Sequence, residues 1–305
     1  MAGSVATAGR TAMMTVGASG GSAQGGSGAA TAGSGAAGAG IAGVGGTAGQ
    51  PMVESTEPKI PEPKGTCAPF MTGDMTIAGS RFRIIAGPKK SKTGALLIYW
   101  YATGSSVFEV DQGVSQTAMD ELNSTGGIVA AMYTSTGMGN NTGDFVWYDG
   151  DLDVTDEVVA CAVKEHDIDT HHIHALGWSA GGLQSGWMAY ARSNYMASVA
   201  PYSGGSLNMM LQDPTNMPSA MLFHGAPGVD QVIIDFSQSS DRMGADVKMK
   251  GGFAFNCNHG GAHMVPLPPG PDGAWLFFKA FGFKTKTNPW ASMIPAGVPS
   301  YCMAY

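Results

Sequence analysis

The apolar run "HIHALGW" ends in Gly177-Trp178-Ser179-Ala180-Gly181 and gives way to a helix-like stretch. A serine on a tight strand-to-helix turn is the setting of a nucleophile elbow. An alcohol is a poor nucleophile near neutral pH. It needs a base to take its proton, an acid to fix the tautomer of that base, and dipoles for the oxyanion. The chemistry in view is acyl transfer through Ser179, and in this setting the other two members follow in the order Asp or Glu, then His.

Three histidines follow Ser179. His224 sits inside the strand-like "LFHGA" and is expected to be structural. His259 and His263 share "CNHGGAHMVP", beyond the last expected parallel strand, where ligands bind in such sheets. His263, deeper in the loop, is expected to be the base, and His259 to brace the turn. The acid should come from the loop after "AMLFHGA", where Asp230 stands in "HGAPGVDQV". Asp235 falls within an expected helix, and Asp213 precedes the strand, at the wrong end of the sheet. Capping of a helix is the competing role for Asp230. One oxyanion donor should be the Ala180 backbone N–H, aided by the helix dipole. The other should come from the loop after "LLIYWYA", where Ala102 and Thr103 are the candidates. Tyr101 and Trp178 adjoin the site and are expected to contact substrate, while Trp100, Trp147 and Tyr148 fit either a pocket or the core. The run "HHIH" at 171–174 has metal-ligand side chains, but lies about six residues at ~3.3 Å each from Ser179. A structural or surface role is expected there, with neither metal nor cofactor.

These residues need elements to place them. "MTIAGSRFRIIAG" alternates as a hairpin, and "ALLIYWYA", "GIVAAMYTS" and "HIHALGW" read as strands buried on both faces. "MASVAPYSG", "AMLFHGA" and "GFAFNCNHGGAH" read as further strands. Helices are expected over "DQGVSQTAMDELNSTGG", "DVTDEVVACAVKEH" with a capping aspartate, residues 180–193, "QVIIDFSQSSDRM" and "GAWLFFKAFGF". A polar loop holding Asn140, Asn141, Gly143 and Asp144 separates two of them. The alternation implies right-handed crossovers and a mostly parallel sheet with helices on both faces, an α/β architecture.

The first fifty residues hold 16 of the 46 glycines and one charge, Arg10. They offer too little apolar surface to offset the entropy of ordering. "PMVESTEPKIPEPK" then reads as a proline-stiffened spacer. A tether over 1–64 and one catalytic domain over 65–305 are expected. The net charge of −7 argues against nucleic-acid binding, and no apolar run is long enough for a membrane span. "TAMMTVGASGG" is too short and glycine-rich for a signal peptide. A low-complexity tether nevertheless suits a secreted or surface-anchored protein whose leader lies outside this sequence. The alternative is a cytoplasmic protein with a disordered head. Four cysteines permit two disulfides. The expected pairs are Cys67 with Cys302, bracketing the domain, and Cys161 with Cys257; four free thiols are the alternative.

"GWSAGG", "HGAPGVDQV" and "NHGGAHMVP" resemble the three catalytic blocks of the secreted α/β-hydrolases grouped as polyhydroxybutyrate depolymerase-like and feruloyl esterase-like enzymes. The resemblance spans about residues 67–305. It implies the α/β-hydrolase fold, with Ser179 as nucleophile, Asp230 as acid and His263 as base. Two departures stand out. Tyr101-Ala102 replaces the usual His-Gly after the early strand, and the spacing from the strand glycine to Asp230 is longer than in the usual H-G-x-x-D. The implied activity is hydrolysis of neutral esters or polyesters, with feruloyl and acetylxylan esters as rival substrates. A catalytically silent surface binding module is the reading from another class.

Overall fold

The computed structural model describes residues 56–133, 135 and 147–305. The polar loop around Asn140 and most of the expected tether lie outside them. The end of the expected spacer is held on the domain: Lys59 N–H donates to Asn194 O (2.9 Å), Lys64 and Gly65 N–H donate to the Glu157 carboxylate, and Ile60 packs against the core.

One nine-stranded sheet carries the fold, in the order β1-β2-β4-β3-β5-β6-β7-β8-β9. The hairpin of β1 (Gly73–Ile77) and β2 (Ser80–Ala86) forms one antiparallel edge. Next come the parallel strands β4 (Ile128–Met132), β3 (Leu96–Trp100), β5 (Ile173–Trp178), β6 (Ser198–Tyr202), β7 (Ser219–His224) and β8 (Ala254–Asn258). The short β9 (Cys302–Ala304) closes the far edge antiparallel to β8.

Strands β3, β4, β6 and β7 are buried at every position, as continuous apolar runs require. Alternate residues of β3 feed two cores. Leu96, Ile98 and Trp100 pack with α3 (Asp149–Cys161), α4 (Ala180–Ala191) and α5 (Phe236–Met249). Leu97 and Tyr99 pack on the other face with α1 (Glu109–Gly113), α2 (Gln116–Thr125) and α6 (Gly270–Ala280).

Several boundaries differ from expectation. The helix expected over 111–127 is two helices, because Val114 is extended and the Ser115 side chain caps a fresh start by accepting from Ala118 N–H (3.2 Å). α3 begins earlier, where Tyr148 N–H donates to the Asp151 carboxylate (2.8 Å). Of "QVIIDFSQSSDRM", residues before Phe236 are not helical, and Asp235 is the cap of α5.

The cysteine pairing is corrected. The disulfides are Cys67–Cys161 and Cys257–Cys302. Cys257 and Cys302 stand opposite each other in the β8/β9 register, and Cys67 is brought to the end of α3 by the entry segment bonded to Glu157. The bracket Cys67–Cys302 does not form because the entry segment and the C-terminal strand lie on different parts of the sheet.

Candidate active site

Parallel register aligns the strand ends: Trp100 pairs with Gly177, Trp178 with Tyr202, and Tyr202 with Phe223. The loops that follow β3, β5, β7 and β8 therefore converge at one edge, and Ser179, Asp230 and His263 lie on the last three of these.

Ser179 occupies φ 57°, ψ −118° between β5 and α4. Such a conformation costs a non-glycine residue about 1–3 kcal/mol and persists only where its surroundings impose it. Here they do. Ser179 N–H donates to Tyr202 O (3.0 Å), and Ser179 O accepts from Leu183 N–H (2.9 Å). The glycines of the motif are needed for close approach. A Cβ at Gly177 or Gly181 would fall 2.3 or 1.9 Å from Trp100 O, and one at Gly182 would fall 2.5 Å from Tyr202 O. The sequence G-W-S-A-G-G thus lets α4 start directly on β3 and β6.

Asp230 lies in the loop after β7 and is fully buried. Its Oδ2 accepts from Gly225 N–H (2.8 Å), and its Oδ1 faces His263 Nδ1 at 2.7 Å. Burial pushes the Asp230 carboxyl up, but the bonds from His263 and Gly225 outweigh it and hold the group below its ordinary value. The capping role falls to Asp235, which accepts from Gln238 N–H (3.1 Å). With Nδ1–H donating to Asp230, His263 keeps Nε2 as an acceptor. Its ring stacks on Phe236 (4.6 Å) and packs against Trp178 (5.2 Å). The two loops are locked together. Ala226 N–H donates to Gly261 O (2.9 Å), and a Cβ at Gly225 would fall 2.1 Å from that oxygen.

The other histidines have structural partners. His259 Nδ1 accepts from Gly261 N–H (3.2 Å), inside the turn, and burial pushes its pKa down. His224 is buried between Gly225 O and Asn256 Oδ1. His174, at the opposite end of β5, contacts Ser198 Oγ (2.9 Å) and stacks on Phe278. Among the described residues the one cluster of metal-ligand side chains is Cys67, Glu157 and Cys161, and its two sulfurs are joined in a disulfide.

Ala180 opens α4, where the first N–H groups have no intrahelical acceptor. On the β3 loop the two candidates separate. Ala102 N–H points into the fold and donates to the Glu109 carboxylate (3.1 and 3.3 Å). The next amide along is that of the exposed Thr103. Tyr101 is buried with its hydroxyl on Val107 O (3.1 Å), and Trp178 lies against the His263 ring. A cleft of about 440 Å³ opens beside Ala180, lined by Trp147, Leu183, Gln184, Trp187, Leu207 and Asn208. Sequence reasoning missed Trp187, Phe236 and Glu109. Only Trp187 carried a signal, one helical face-length beyond Ala180 in α4.

No family model and no curated protein matches the chain. Solved structures do. A serine-to-alanine variant of pOPH in complex with pNPB superposes with a TM-score of 0.61 at 12% identity, over 81% of this chain and 96% of that one. Native sOPH gives 0.54 at 14% identity, over 81% and 97%. A Bacillus cereus carboxylesterase gives 0.48 at 14% identity, over 65% and 93%. At these identities the likeness is one of architecture. With its mostly parallel sheet, helices on both faces and the loop order described above, the chain has the α/β-hydrolase fold.

Proposed function

We propose that the protein is a serine carboxylic-ester hydrolase that works through an acyl-enzyme on neutral esters or polyesters. The observation that carries this reading is the hydrogen bond between the buried Asp230 and a half-buried His263 whose ring packs against Trp178, the residue before the strained serine at the head of α4. In the proposed reaction, His263 Nε2 takes the proton of Ser179 Oγ as that oxygen attacks the ester carbonyl. Asp230 stabilises the resulting imidazolium, and the N–H groups of Ala180 and Thr103 receive the oxyanion. Collapse expels the alcohol, which takes its proton from His263. Water then repeats the sequence and frees the acid. The mostly apolar cleft beside Ala180 supports an uncharged acyl or aryl group.

The domain proposed to do this is 65–305, carried on the N-terminal segment as a tether. Two disulfides support an exported, secreted or cell-surface location, and no described helix is long and apolar enough to cross a membrane.

The test is covalent. A fluorophosphonate should label Ser179, and Ser179→Ala should lose both the label and turnover of a short-chain p-nitrophenyl ester. Undiminished turnover by that variant would remove the reading. A folded wild-type protein that neither labels nor turns over would instead be the silent binding module. A panel of hydroxyalkanoate oligomers, feruloyl sugars and acetylated xylan separates the substrate classes.

A further inference from the structure

Glu109 is 4% exposed, yet no lysine or arginine reaches its carboxylate among the described residues. The nearby Arg83 is engaged with Asp111 (2.8 Å) and Val107 O (2.7 Å). A carboxylate buried without a cation is costly unless hydrogen bonds replace its water. Those of Glu109 come from two places. Tyr99 hydroxyl donates from β3 (2.9 Å), and Ala102 N–H donates from the loop that follows β3. Burial pushes the Glu109 carboxyl up, and the Ser105 hydroxyl on that same loop, Ala102 N–H and Tyr99 hold it partly back.

The loop is therefore gripped from beneath. Ala102 O accepts from Ser105 N–H (3.1 Å), making a tight turn over 102–105, and Tyr101 O accepts from Trp147 Nε1 (2.8 Å). Trp100 O and Tyr101 O are the atoms that Gly181 lets α4 approach, so the turn is seated directly on the elbow. Drawing Ala102 N–H inward fixes the plane of that peptide and so limits the direction of the next amide. We propose that Glu109 is the positioning residue of the oxyanion loop: by holding Ala102 N–H it aims the Thr103 N–H at the carbonyl oxygen of an ester on Ser179. This rests on Ser179 being the nucleophile.

Glu109→Gln keeps the shape but replaces one acceptor oxygen with a donor, which must face either Ala102 N–H or the Tyr99 hydroxyl. Loss of one oxyanion donor costs about 10²–10³-fold in kcat, so a misaimed donor should cost about 10–100-fold. The expected result is that fall in kcat with KM within about threefold, and a matching loss of affinity for a boronic acid that forms a tetrahedral anion on the serine. Excess fluorophosphonate should still label Ser179 to full occupancy, only more slowly. Tyr195→Phe, which removes a buried hydroxyl bond to Asp156 away from the loop, is the control for destabilisation and should keep kcat. Unchanged kcat and boronate affinity in Glu109→Gln would overturn the proposal. So would equal kcat losses in Glu109→Gln and Tyr195→Phe. If Glu109→Gln fails to fold, Ser105→Ala at an exposed position serves: kcat should fall several-fold at an unaltered Tm, and an unaltered kcat overturns the proposal. Labelling of wild type at Ser179 separates the two failures, since a wild type without label sinks the nucleophile itself.

Discussion

At the residue scale, the histidine assignment rests on what each ring is bonded to. His263 faces a buried carboxylate at 2.7 Å, whereas His259 Nδ1 is consumed by its own turn. His263→Ala should lower kcat by at least ~10³-fold, because members of the proposed triad would act as a unit. His259→Ala should cost less than about tenfold in the same assay; the reverse order would exchange their roles. Asp230 adds a pH dependence. Its folded pKa lies below the ordinary aspartate value of about 3.9, so its interactions stabilise the fold fully above that pH. The benefit is lost as pH falls through the lower, folded value. Asp230→Asn should therefore be less stable than wild type at neutral pH, and urea midpoints should converge below about pH 4. A gap that widened in acid would mean the carboxyl is held above its ordinary value. The loops that carry Ser179, Asp230 and His263 were legible because each follows a strand-like apolar run. Glu109 was not, since nothing in "SSVFEVDQG" marks a carboxylate that will turn under the preceding loop.

At the element scale, strands read more truly than helices. "LLIYW" and "SAMLFH" are buried throughout, so hydrophobicity alone locates them. Helix starts depend on single caps, and there the reading slipped: Asp235 begins α5 five residues later than "QVIID" suggested, leaving Val232 and Ile233 exposed. The elbow glycines offer a sharper test. Gly181→Ala would set a methyl 1.9 Å from a backbone oxygen that α4 cannot retreat from without moving Ser179. It should cost about 3 kcal/mol by urea denaturation, at the upper end for overpacking, and abolish turnover. Gly228→Ala, at φ +71° with open space around its Cβ, should cost only the backbone strain of about 1–2 kcal/mol. Equal costs at the two sites would refute the close-packing account of the motif.

At the scale of the whole molecule, disulfide partners were the least legible feature, because one pair is fixed by the β8/β9 register and the other by the docking of the entry segment on α3, rather than by distance along the chain. The cysteines of the two pairs stand 94 and 45 positions apart in the sequence. In the loop-entropy model each restricts the unfolded chain by about 4–5 kcal/mol. The second has a further effect. Cys257 and Cys302 close a covalent ring that contains His263, α6 and the exposed Lys286. A single tryptic cut after Lys286 would open that ring without releasing either piece. The nicked protein should run as one species on a non-reducing gel, split into two on reduction, and keep its ester turnover until reductant is added. Early loss of the C-terminal piece without reductant would mean the bridge is not formed. The segment that carries His263 is thus held by the sheet at both ends, so the unbroken chain is not its only means of attachment.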